Sequence, residues 1–189
     1  MARKLFLLSA IAAAAAFAII AFDHGLDRSK TDETAAPPDK NTPTKENVSK
    51  VVTEKIEHLK SVVARNPDDA RTAFELAKML QDGHNMPEAV KYYEVGLKSD
   101  KHNIAARIDY SLCLYQTGKH QEAMAQNRAV LRDDPANPQA LYNLGAIYAN
   151  RAQSDSARYY WSKLVTVHPN DELAEKARKN LTLLGGKPL

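Results

Sequence analysis

From residue 70 to residue 171, apolar and polar positions follow a rhythm that returns every 34 residues. Ala89, Ala123 and Ala157 keep that spacing, as do Leu76, Tyr110 and Leu144, and Ala77, Ser111 and Gly145. A fixed period of this length marks one supersecondary unit copied along a chain. Each period holds two amphipathic stretches of about 12 to 14 residues with a short polar break between them, so the unit is a pair of helices. Gly83, Gly118 and Gln153 fall in these breaks. Asp68, Asn137 before Pro138, and Ser154 mark helix starts, and Pro87 suits a first helical turn. Asn66-Pro67, Asp134-Pro135 and His168-Pro169 end the preceding helices, because the residue before proline is pushed out of the helical region.

The small columns predict close crossings within each pair. The large neighbours Leu80, Leu114 and Tyr148, with Leu97, Leu131 and Val165, are expected to fill the seams between helices about 8–10 Å apart. Two flanking helices extend the pattern. Glu46 to Arg65 is amphipathic and ends at Asn66-Pro67, in the second-helix position of an incomplete repeat; Asp171 to Leu184 has the polar outer face of a cap and is stopped by Gly185-Gly186.

With these columns in view, residues 70–171 resemble three tetratricopeptide repeats (TPRs), spanning about 70–103, 104–137 and 138–171. The third matches best, with Leu141, Leu144, Gly145, Tyr148, Ala157, Trp161 and Pro169 on the signature positions. The first has Lys101 for the closing proline, and the second has Arg107 and Asn127 where apolar residues are usual. The resemblance implies an all-α fold: a right-handed α-solenoid of three helix pairs within a domain at 46–189, capped by residues 171–184.

The N-terminus adds a second element. Arg3 and Lys4 precede an uncharged run from Leu5 to Phe22 in which Ser9 is the one polar residue. As a helix the run would extend about 27 Å, nearly crossing a hydrocarbon core of about 30 Å. Residues 1–22 are therefore a signal-anchor or a signal peptide, and either directs the remainder to the exported, periplasmic side. The uncleaved single-pass anchor in a bacterial cell membrane is preferred, since cutting after Ala16 or Ala18 leaves Ile19, Ile20 and Phe22 on the mature end; cleavage would give a soluble secreted or periplasmic protein. Residues 23–45, with Pro37, Pro38 and Pro43 and little to bury, read as a disordered polar linker spanning roughly 25 Å.

Composition then narrows the function. The formal net charge is +3, with Lys and Arg interleaved with acids, which argues against a nucleic-acid partner. Cys113 is the single cysteine and sits within a helix, where a small buried residue is expected rather than a reactive thiol. No phosphate loop, His-x-x-x-His pair, Cys-x-x-Cys or assembled Ser, His and Asp set is present, and the six histidines are scattered. The expectation is no enzyme, no cofactor, no metal and no small-molecule substrate.

Recognition remains. In the family the first helices line a concave groove, which here maps to Phe74, Lys78 and Gln81; Ile108, Leu112 and Tyr115; and Tyr142, Ala146 and Asn150. Phe74, Ile108 and Tyr142 form an apolar column expected to hold an extended segment or helix, with Lys78, Asp109 and Asn143 fixing its orientation. The same column could instead pack against a flanking helix or a neighbouring subunit. The lysine, asparagine and arginine clamp of chaperone-binding members is missing, since those sites carry Phe74, Lys78, Asp109, Gln139 and Asn143. Asn137 to Leu141 and Tyr160-Trp161 on an exported, anchored chain are similar to the TPR subunit of bacterial c-type cytochrome maturation, which implies holding unfolded apocytochrome. The reading is a membrane-anchored adaptor or scaffold that binds a protein or peptide. The alternative is an architectural subunit of a membrane complex.

Overall fold

The computed structural model describes residues 45–185. The segment 1–22, nearly all of the linker 23–45, and Gly186 lie outside the described residues. The described residues form eight helices: α1 (Lys45–Arg65), α2 (Ala70–Asp82), α3 (Met86–Ser99), α4 (Ile104–Gln116), α5 (His120–Asp133), α6 (Pro138–Asn150), α7 (Ser154–Val167) and α8 (Glu172–Leu183). Among them there is no strand, and no helix is long and apolar enough to cross a membrane.

Helix starts repeat with the same period as the core. Asp69, Asn103, Asn137 and Asp171, each 34 residues from the next, cap α2, α4, α6 and α8. Their side chains accept from Thr72 N at 3.1 Å, Ala106 N at 2.9 Å, Ala140 N at 3.0 Å and Leu173 N at 2.7 Å, satisfying amides that the helix cannot. The first cap is thus Asp69, not the Asp68 expected from the sequence. Asn85 caps α3 and exchanges a second bond with Glu88, whereas Lys119 and Gln153, ahead of α5 and α7, make no side-chain cap; Ser154 is the first residue of α7 and not its cap.

Helix ends keep the register even where proline is missing. α1, α5 and α7 stop two residues before Pro67, Pro135 and Pro169, and α3 stops at Ser99, two residues before Lys101. In that repeat Asn103 donates to Asp100 at 2.9 Å, the counterpart of the Asn137–Asp134 bond at 3.1 Å, so a side-chain clasp supplies the bend. The breaks within pairs centre on His84, Gly118 and Ala152, all with positive φ (60°, 79° and 56°) and again 34 apart. Gly83 and Gln153 lie in these breaks, as expected, beside the left-handed positions, and only the middle repeat places glycine where the left-handed conformation is required.

Each helix packs most heavily on its chain neighbours, and α2 also touches α4, and α6 touches α8, whereas no two of α1, α3, α5 and α7 meet to a similar extent. Closer spacing of the first helices puts them on the inner surface of the curve and the second helices outside. Ala73, Ala77, Ala89, Ala123, Ala140 and Ala157 are wholly buried at the crossings. Leu76, Leu114, Leu141, Leu144 and Leu164 are also wholly buried, each contributing about 2–3 kcal/mol by removal from water.

Both ends are closed by single helices. Leu59 and Val63 of α1 join the core, and Ala174, Ala177 and Leu181 of α8 cover the last pair. Glu175, Lys179 and Thr182 face solvent on the outer side of α8. In the middle repeat the polar exceptions are satisfied. Arg107 donates to the Lys101 carbonyl and to Gln126 Oε1, and the wholly buried Asn127 donates to the Ala123 carbonyl at 3.0 Å while accepting from Asn143 Nδ2 at 3.2 Å.

Candidate functional site

The inner surface is built by one face each of α2, α4, α6 and α8, so residues 34 apart form rows across it. Of the row Phe74, Ile108 and Tyr142, all three are half-buried. The Phe74 ring covers Gly96 of α3, where an added Cβ would overlap it, and lies 6.5 Å from the Tyr93 ring. Tyr142 lies 6.3 Å from the Trp161 ring and accepts from Asn180 of α8 at 3.4 Å. The two ends of the row are therefore partly committed to helices behind and beside the groove. Ile108 lies between them.

The next row carries the exposed apolar surface. Lys78, Leu112, Ala146 and Asn180 follow one another at 34-residue steps, and Leu112 is 38% exposed. Below it come Gln81, Tyr115, Ala149 and Leu183, with Leu183 79% exposed. Gln81 does not reach the surface: it is buried and accepts from the Tyr93 hydroxyl at 2.6 Å. Tyr115 accepts from Asn150 Nδ2 at 2.6 Å and its ring lies 4.7 Å from His120. The apolar strip runs from Leu112 through Tyr115, Ala146 and Ala149 to Leu183. The part on α8 was missed from the sequence, and continuing the 34-residue register into the cap helix would have found it.

Polar groups border the strip. Lys78 holds Asp82 at 3.0 Å. Asp109 is half-buried beside them, within reach of Lys78 and of the Tyr93 hydroxyl, whose single proton is directed at Gln81. Burial pushes the Asp109 carboxyl above its usual range, and Lys78 and Tyr93 only partly offset this. Burial likewise raises Tyr93, and it pushes the Cys113 thiol up to about 11; Cys113 is wholly buried. Asn143 has both ends of its amide engaged, donating to Asn127 and accepting from Gln139 Nε2 at 2.9 Å. Among the described residues no three His, Cys, Asp or Glu side chains converge as a metal site.

A TPR family model matches residues 113–150, and a tetratricopeptide repeat model matches residues 139–171. No curated protein matches the chain. Among solved structures, the crystal structure of YrrB, a TPR protein with an unusual peptide-binding site, is similar with TM-score 0.62 and 23% identity over 70% of this chain and 68% of YrrB. MamA from Desulfovibrio magneticus RS-1 is similar with TM-score 0.58 and 18% identity over 74% of this chain and 90% of MamA. The first TPR of Spaghetti (RPAP3), solved with the HSP90 peptide SRMEEVD, gives TM-score 0.56 and 16% identity over 64% of this chain and 97% of that one. At these identities the likeness concerns the fold. The repeat models on residues 113–171, together with the 34-residue register of caps, crossings and turns from α2 to α8, show that the chain carries tetratricopeptide repeats.

Proposed function

We propose that this chain is a scaffold that performs no reaction and holds a protein or peptide segment along the inner surface of its helices. The observation that carries this reading is the strip from Leu112 to Leu183, apolar and open on a face whose other apolar side chains are packed. Leu112, exposed in the same 34-residue row as the small Ala146, offers apolar surface to a ligand side chain, while Lys78, Asp82 and Asp109 border the strip with polar contacts. The similar YrrB and RPAP3 structures are described with peptide-binding roles, which favours the same use of this fold here. Residues 1–22 would anchor the scaffold in a membrane, with the repeats on the exported side and residues 23–45 as the tether.

The test is affinity capture by the tagged full-length chain from native membranes, beside Leu112→Glu and Ala146→Glu variants. These alter exposed or half-exposed positions and spare Phe74 and Tyr142, whose packing supports the fold. A protein retained by the parent and lost from both variants is the expected result; identical eluates overturn the groove reading and favour an architectural role. Apocytochrome c among the losses would assign the scaffold to cytochrome maturation.

A further inference from the structure

The outer helices carry a surface that the groove does not use. On α5, Glu122 is paired with Lys119 at 3.7 Å and Asp133 is hydrogen-bonded to His102 at 2.9 Å, and both partners lie outside α5 and α7. Of the four Lys and Arg side chains of α5 and α7, Arg158 donates to the Leu184 carbonyl, and among the described residues Arg128, Arg132 and Lys163 likewise make no ion pair with a carboxylate. The remaining acid, Asp155, is in the first turn of α7, where the helix dipole already favours it.

These charges surround a fixed aromatic array. The Arg128 guanidinium donates to the Tyr148 hydroxyl and lies 6.0 Å from the centre of its ring. Tyr148 stacks on Tyr160 with centroids 5.5 Å apart and planes 8° from parallel; Tyr159 meets Tyr160 edge-on at 5.0 Å and is 62% exposed. Side chains of α5, α6 and α7 are thereby locked together. Arg132 lies one helical turn beyond Arg128, and Lys163 one turn beyond Tyr159, so the charges share a face with the rings. Held tyrosines beside uncompensated arginines combine low ordering cost with desolvatable contact area, the makings of an interaction hot spot.

We propose that this patch is a second interaction surface, and that its partner is an acidic protein segment bearing apolar side chains. The unpaired cations select the acid, and the Tyr159 ring with Val167, 44% exposed one turn beyond Lys163, receives the apolar side chains. Glu122 and Asp155 stand in the first turns of the same two helices, so the face lacks the uniform charge that suits a nucleic acid or an anionic lipid surface. Lying on the second helices, the surface remains open when the inner groove is filled.

The test uses the full-length chain in neutral detergent and a fluorescein-labelled peptide alternating glutamate with leucine, followed by anisotropy. Binding is expected to weaken with added salt, to fall about tenfold in Arg132→Glu/Lys163→Glu, and to fall about threefold or more in Tyr159→Ala. Leu112→Glu should leave it unchanged, which separates this surface from the groove. Circular dichroism establishes that each variant is folded. Absence of binding, equal affinity for the lysine-for-glutamate peptide, or insensitivity to the double variant overturns the proposal. So does stronger binding of oligodeoxythymidylate or of phosphatidylglycerol mixed micelles, which would make the partner a nucleic acid or a lipid surface.

Discussion

Trp161 lies against Gly145, its indole Nε1 donating to the carbonyl of Tyr142 at 3.2 Å and occupying the space where a Cβ on residue 145 would stand. The same relationship joins Phe74 to Gly96 in the first repeat, with the roles of the two helices exchanged: there the ring is on the first helix and the glycine on the second. Gly145→Ala is expected to cost about 1–3 kcal/mol by overpacking, with loss of the indole bond as a further penalty. Gly96→Ala should cost less, because Phe74 is half-buried and its ring can swing toward the groove. Urea unfolding of the two variants checks the order, and equal losses would contradict it.

The left-handed turn positions predict gains as well as losses. Ala152→Gly and His84→Gly should each stabilise by about 1 kcal/mol, since a side chain at positive φ strains the backbone. Gly118→Ala, at the equivalent position, should destabilise by about 1–2 kcal/mol. Thermal melts of the three single variants measure both signs in one protein.

Helix caps separate the two kinds of helix in the repeat. Asn103→Ala and Asn137→Ala should each cost about 1 kcal/mol, because each leaves a helix amide without its side-chain acceptor. Lys119→Asp and Gln153→Asp, where no side-chain cap exists, should stabilise by up to about 1 kcal/mol. Denaturant midpoints of the four variants provide the measurement.

Asp109 carries a penalty that depends on pH. Its carboxyl is raised in the folded chain, chiefly by burial, so the ionised form is better accommodated in the unfolded chain. The penalty is absent below the unfolded value of about 4, where both states are protonated, and is complete once the pH exceeds the folded value. Asp109→Asn is therefore expected to be more stable than the parent at pH 7, with the advantage vanishing at pH 3.5. A difference in urea midpoint that is the same at both pH values would exclude this origin.

Much of the architecture was legible because one constraint recurs. The alanine column reports a crossing that every repeat makes and the prolines mark most of the helix ends, so repetition reveals them without coordinates. The cap column at Asp69, Asn103, Asn137 and Asp171 obeys the same period but was only partly read, since Asp68 and Asp69 are adjacent and chemically equivalent. At the turns, Gly83, Gly118 and Gln153 marked the breaks, but the left-handed positions are His84, Gly118 and Ala152, which the composition of the breaks does not single out.

The inner surface was less legible, for a physical reason. Phe74, Ile108 and Tyr142 are equivalent by register, yet exposure depends on what stands behind and beside each. Gly96 admits the Phe74 ring, and α8 reaches Tyr142 through Asn180, while Leu112 stays open. The stacked array of Arg128, Tyr148 and Tyr160 joins three helices, and no local spacing announces it.

The sequence by itself determined the period, the helix pairs and the small residues at their crossings, because these follow from local hydrogen bonding and from contacts repeated at constant spacing. Only the tertiary structure decided which apolar side chains are covered and which polar ones find partners. Those outcomes depend on the shape and reach of residues brought together from different repeats, which differ even where the register is the same.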